Sequence, residues 1–246
     1  MRIFIVLIFF SNLVFSQEVE SHLLQSPRNN SSSVKKSTIQ PLSLPFFDDF
    51  SNKTISLSNL LWQEQSSFLN RTYPINPPTI GVVTLDGLDS NGLAYDINIS
   101  NFSGFADKLT SHPIDLSNST NPLFLMFYYQ PQGLGDNPQT EDSLILEFSY
   151  DSLGTEVWDR IWSKQGTVLT EFQRIVLIID DNKFFTNSFE FRFRNYATLS
   201  GNFDHWHLDY IKLAELVNAS DTLLLNDVSF VYNSPSLLKR YSQMPW

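Results

Sequence analysis

The densest group of chemistry-capable side chains in this sequence is His205-Trp-His207-Leu-Asp209. Alternate residues of a β-strand project from one face, so two imidazoles and a carboxylate would stand there in a row. Two histidines and a carboxylate make a facial ligand set for a transition metal, and a metal-dependent enzyme is one reading of the row. The competing reading is a set of polar residues at a strand entrance, each satisfied by hydrogen bonds. Ile211 and Leu213 continue the same odd-numbered face into what reads as core. The remaining histidines, His22 and His112, fall in a Ser/Asn-rich stretch and an apparent turn.

Carboxylates offer a second possibility. Asp48 and Asp49 lie on the first candidate strand and Asp209 on the last. Hard cations take carboxylate and carbonyl oxygens, so a structural Ca²⁺ ion at Asp48, Asp49 and Asp209 is expected if those strands are neighbours, with Asp142 a weaker candidate. Turn capping by Asp48 and Asp49, and backbone hydrogen bonds to Asp209, are the alternative.

Enzyme chemistry finds little else to use. Glycoside hydrolysis needs two carboxylates across a cleft, about 5 Å or about 6.5–9.5 Å apart. Glu141 and Asp142 are adjacent and so point to opposite sides of a strand. There is no Gly-x-Ser-x-Gly elbow, and no cysteine to act as a nucleophile or to form a disulfide. Gly133-Leu-Gly135 precedes a strand, not a phosphate-binding helix. The expectation is a chain that is not an enzyme.

Sugar binding is the other chemistry the residue types allow. Tyr128, Tyr129, Trp158, Trp162 and Trp206 supply flat apolar faces, and Arg192 and Arg194 supply hydrogen-bond donors. Trp158, Trp206, Arg192 and Arg194 are therefore candidate ligand-binding residues, against the alternative that the large aromatics are core.

These residues need strands to position them. Short runs rich in Phe, Ile, Leu and Val alternate with Asn/Asp/Gly/Pro/Ser turns from Pro45 to about residue 216, with no long helical stripe. Candidate strands are 46–50, 80–85, 92–95, 106–110, 123–130, 143–150, 157–162, 173–179, 188–196 and 206–213. Phe189-Glu-Phe-Arg-Phe-Arg194 is the clearest, with three Phe on one face and Glu190, Arg192 and Arg194 on the other. The expected fold is all-β: a two-sheet antiparallel jelly-roll sandwich, preceded by a disordered linker and followed by a short C-terminal extension.

The flanks place the domain. Residues 1–16 read as a secretion signal, with Arg2, the apolar run Ile3–Phe10 and a small-residue cleavage site at Ser16. Residues 17–44 lack any periodicity and read as a disordered linker, and 217–246 read as an extension or the start of a further module. The formal charge of −10 becomes −11 once Arg2 leaves with the signal. That charge disfavours nucleic acid and anionic membranes, which recruit clustered Lys and Arg. No transmembrane segment is expected in the mature chain, and the protein is expected in the periplasm, at the cell surface or outside the cell.

Pro45-Phe-Phe-Asp-Asp-Phe-Ser51 resembles the first strand of concanavalin-A-like jelly rolls, including the MAM-like modules of secreted bacterial surface proteins. Tyr129-Gln-Pro-Gln-Gly133, Asp142–Asp151 with Trp158, and the closing Phe203–Ile211 are similar to later strands of the same modules. The overall style is similar to exported Bacteroidota proteins. The resemblance implies a cation near the seam of the first and last strands. The main expectation is a non-catalytic structural or protein-interaction module of a surface assembly. The alternative is a carbohydrate-binding module whose partner is a glycan.

Overall fold

The computed structural model describes residues 40–51, 56–64, 66–98, 102–218 and 231. The expected signal at 1–16, the linker up to residue 39 and nearly all of the extension after residue 218 lie outside the described residues.

Among the described residues, ten antiparallel strands form two sheets packed face to face, with one 3-10 turn at Asn182–Phe184. The six-stranded sheet runs β2 (Phe68–Asn70), β3 (Val82–Leu85), β10 (Trp206–Glu215), β5 (Leu123–Pro131), β8 (Gln173–Ile179). β1 (Phe46–Asp48) also pairs with β10, so β3 lines its first half and β1 its second. The four-stranded sheet runs β4 (Ser103–Thr110), β9 (Phe191–Thr198), β6 (Ser143–Ser152), β7 (Thr155–Gln165). The expected all-β sandwich is what the chain forms.

Its core is aromatic. Phe46, Trp62 and Phe191 meet edge to face with ring centroids 5.2–5.8 Å apart, and Phe127 packs on Phe193 at 4.9 Å. Such pairs add about 0.5–1.5 kcal/mol each to the burial of their area. Leu42 and Leu44 already pack on this core, and Leu42 hydrogen-bonds Pro113 and Asp115, so the folded body includes residues just before Pro45.

Nine of the ten expected strands appear; 92–95 instead forms an isolated bridge between Leu88 and Ala94, and β2 was not anticipated. The larger correction concerns β10. A bulge lies between Asp209 and Lys212, and Tyr210 has a φ of +52°. One inserted residue swaps the faces of a strand. Trp206 and Leu208 therefore share the core with Ile211 and Leu213. His207 and Asp209 fall on the opposite side of the sheet, as does Tyr210, which packs with Phe124 and Met126 in a second cluster. The odd-numbered residues do not share one face along the whole strand.

Candidate functional site

His205, His207 and Asp209 are all buried. What covers them is the connection from β2 to β3, residues 71–81, which crosses the outer surface of the six-stranded sheet like a strap, and the loop after β5. Tyr73-Pro-Ile-Asn-Pro-Pro-Thr79 contains three prolines, which reduces the number of backbone N–H groups needing partners. The polar row of the sheet binds the rest. The Gln130 amide accepts from Ile75 N–H and donates to the Ile75 carbonyl, each at 2.9 Å. Thr79 donates its N–H to Asp209 Oδ2 at 2.8 Å, and its hydroxyl lies 2.9 Å from Oδ1.

The imidazoles are equally occupied. His207 Nε2–H donates to the Gln132 carbonyl at 3.1 Å, which leaves Nδ1 to accept the Thr84 hydroxyl at 2.7 Å. The Asn70 amide donates to the same Thr84 oxygen. His205 Nδ1 accepts Asp136 N–H at 3.0 Å, and its ring stacks on Tyr73 with centroids 5.6 Å apart. Burial pushes the His207 pKa down to about 3, and burial also holds His205 below the ordinary histidine value. Gly133 and Gly135 lie so close to these rings that a Cβ at either would overlap them. The row thus acts as a cradle for the strap and the glycine loop.

At the seam, β1 pairs with β10 as expected, with Phe46 opposite Leu213 and Asp48 opposite Ile211. Asp48 is buried and accepts Trp62 Nε1–H at 2.7 Å and Phe50 N–H at 2.9 Å. Asp49 accepts the N–H and hydroxyl of Ser51. Asp142 stands at the other end of the sandwich, buried beside Asp204. Among the described residues, no group of three or more His, Asp or Glu side chains is arranged to hold a metal ion.

The four candidate ligand-binding residues separate. Trp206 is fully buried, tilted against Tyr129 with ring centroids 6.2 Å apart, and presents no face to a ligand; the bulge in β10 is the reason. Tyr129 and Trp162 also face inward, packing on one another at 5.2 Å. Trp158, Arg192 and Arg194 come together on the outer face of the four-stranded sheet. The alternation of β9 buries Phe191 and Phe193 and turns Arg192 and Arg194 outward. Arg192 Nε donates to Glu147 Oε2 at 2.6 Å, and Arg194 Nη1 lies 3.6 Å from the same oxygen. Each guanidinium also covers a ring: Arg192 lies 3.9 Å from the Trp158 centroid and Arg194 3.3 Å from that of Phe105.

The result is a row across four strands: Phe105, Arg194, Glu147, Arg192, Trp158. Tyr196 adds a ring against Phe105 at 5.4 Å, and Phe105 remains 43% exposed, so the row is open to solvent at that end. On one flank Glu64 holds Lys108 at 2.8 Å and accepts from Thr110. Stacking and ion pairing fix the arginines before any ligand arrives, and each cation–π contact is worth about 0.5–2 kcal/mol. Glu147 and Phe105 are the residues that sequence reasoning missed. The available signal was a lone Glu within the apolar run Leu144-Ile-Leu-Glu-Phe148, a charge that needs a partner where it stands.

No protein-family model matches the chain, and no curated protein matches it. Solved structures do. A family 22 xylan-binding domain of Paenibacillus barcinonensis Xyn10C aligns at 8% identity over 73% of this chain and 99% of its own, with a TM-score of 0.44. The C-terminal family 22 carbohydrate-binding module of Clostridium thermocellum Xyn10B aligns at 10% identity, over 69% of this chain and 92% of its own, with a TM-score of 0.43. The K1 cleaved adhesin domain of Lys-gingipain from Porphyromonas gingivalis aligns at 11%, over 70% and 98%, with a TM-score of 0.41.

Proposed function

We propose that this chain is a non-catalytic carbohydrate-binding module of an exported protein, and that it takes its glycan on the outer face of the four-stranded sheet. The observation that carries this reading is the Phe105–Arg194–Glu147–Arg192–Trp158 row. Aromatic faces accept the apolar faces of sugar rings, and guanidinium forks held in place donate to hydroxyl pairs with little entropy left to lose. The pairing is built on rigid strands, which favours recognition of one geometry.

The non-catalytic part rests on how the carboxylates and imidazoles are used. His205, His207 and Asp209 are committed to the strap, and Glu147 sits between two arginines without a second carboxylate opposite it. Export is supported by the signal-like residues 1–16. Among the described residues no helix is long and apolar enough to cross a membrane.

Calorimetric titration with a panel of soluble polysaccharides tests the reading. Saturable binding by the wild type that Trp158→Ala abolishes, with an unchanged melting temperature, is the expected result. Absence of binding to every polysaccharide would favour the protein-contact scaffold instead.

A further inference from the structure

The charges on this face are segregated, bases toward its middle and acids toward the β6–β7 hairpin tip. Arg160 stands directly across from Glu147 in the β6–β7 register and so projects from the same side as Arg192 and Arg194. Among the described residues no carboxylate lies within ion-pair distance of Arg160. Three guanidiniums therefore gather around Glu147, and the Lys108–Glu64 pair beside them is neutral. Glu190, which pairs with Ser149, and Asp151 and Glu156, opposite one another at the β6–β7 hairpin tip, bound the patch at one end. A concentrated positive patch on a chain with a formal charge of −10 runs against its composition.

We infer that the glycan bound here is anionic, a polymer containing uronic acid residues; this rests on the carbohydrate-binding reading above. A sugar carboxylate is planar and accepts two parallel N–H bonds from a guanidinium, the geometry that makes arginine superior to lysine at such sites. Burial and the neighbouring Arg192 hold Arg194 below the ordinary arginine pKa, with Arg160 adding to the effect and Glu147 opposing it. Cations crowded in this way gain most from an added anion. A nucleic acid fits less well, because the acids around the patch repel a long, uniformly charged backbone.

The test compares each uronic acid polymer with its own neutral counterpart. Polygalacturonate, alginate and glucuronoxylan are titrated by calorimetry, alongside the same polymers after reduction of their carboxyl groups to alcohols, plus dextran sulfate. At least one uronic acid polymer is expected to bind about tenfold or more tightly than its reduced form, a difference of about 1.4 kcal/mol. Arg160→Gln is expected to weaken that binding about fivefold or more, with no change in melting temperature, because the side chain is exposed. Equal binding of native and reduced polymers overturns the anionic assignment and leaves the carbohydrate reading standing. Dextran sulfate binding as tightly as the uronic acid polymers overturns the carboxylate assignment. Failure of every polysaccharide, neutral or acidic, removes both readings.

Discussion

Thr79 gives both of its polar groups to one carboxyl group: its N–H lies 2.8 Å from Asp209 Oδ2 and its hydroxyl 2.9 Å from Asp209 Oδ1. The same hydroxyl is 2.7 Å from the Asp49 carbonyl, so one proton stands between the end of β1, the strap and β10. Thr79→Val removes that hydroxyl, and with it one hydrogen bond to the buried Asp209 carboxyl group and one to the Asp49 carbonyl. The expected cost is about 1–3 kcal/mol by urea denaturation, with Thr79→Ser recovering most of it.

Stability should depend on pH through the buried carboxyl groups. Burial pushes Asp142 up to about 6, with the adjacent Asp204 adding to the rise, and burial pushes Asp209 up to about 7. A carboxyl group whose folded pKa lies above its unfolded value of about 3.9 binds more protons when folded. Its contribution to stability therefore falls as pH rises from about 4 to about 6 for Asp142, and on to about 7 for Asp209. Asp142→Asn is expected to stabilise the protein by about 1–3 kcal/mol at pH 8 and to change it little at pH 3. Denaturation curves of the pair at both pH values check the sign.

Gly135 packs against the His205 ring with no room for a Cβ, and Gly133 does the same at His207 with a φ of +59°. Gly133→Ala meets both the overlap and the left-handed backbone, so it is expected to cost more than Gly135→Ala. About 2 kcal/mol or more for Gly133→Ala is a reasonable scale for overpacking plus strain. Thermal denaturation of the two variants ranks them.

Much of this architecture is legible in the sequence, and the exceptions have a common cause. The Phe189–Arg194 alternation gives the faces of β9 outright, which is why Arg192 and Arg194 point outward as expected. β10 has the same apparent alternation, but period two carries no mark of an inserted residue. The bulge between Asp209 and Lys212 therefore reverses which residues reach the core, and Trp206 moves from candidate platform to core. The strap was illegible for a different reason: Gln130, Thr79 and His207 find their partners across 55, 130 and 123 residues of chain. No local pattern encodes such contacts. Phe105 lies beside a second irregularity, the register shift between Phe105 and Lys108.

Glu147 competes with any anion for Arg192 and Arg194. Glu147→Gln keeps the shape and removes the charge, so it is expected to tighten binding of a uronic acid polymer about threefold to tenfold. It should also lower stability by about 1 kcal/mol, as expected for a partly buried ion pair lost to a neutral partner. Calorimetry and urea denaturation on the same preparation read the two effects separately.

The most direct measurement is a nuclear magnetic resonance titration of the isotope-labelled chain with the polysaccharide that binds best. The largest shifts are expected on the Trp158 indole N–H, the Nε–H groups of Arg192 and Arg194, and the backbone of Phe105 and Tyr196. Residues of the strap, such as Ile75 and Thr79, should stay still. Shifts centred on the strap, on β8 or on the β1–β10 seam, with the Phe105–Trp158 row unmoved, would contradict the assignment of glycan binding to that row.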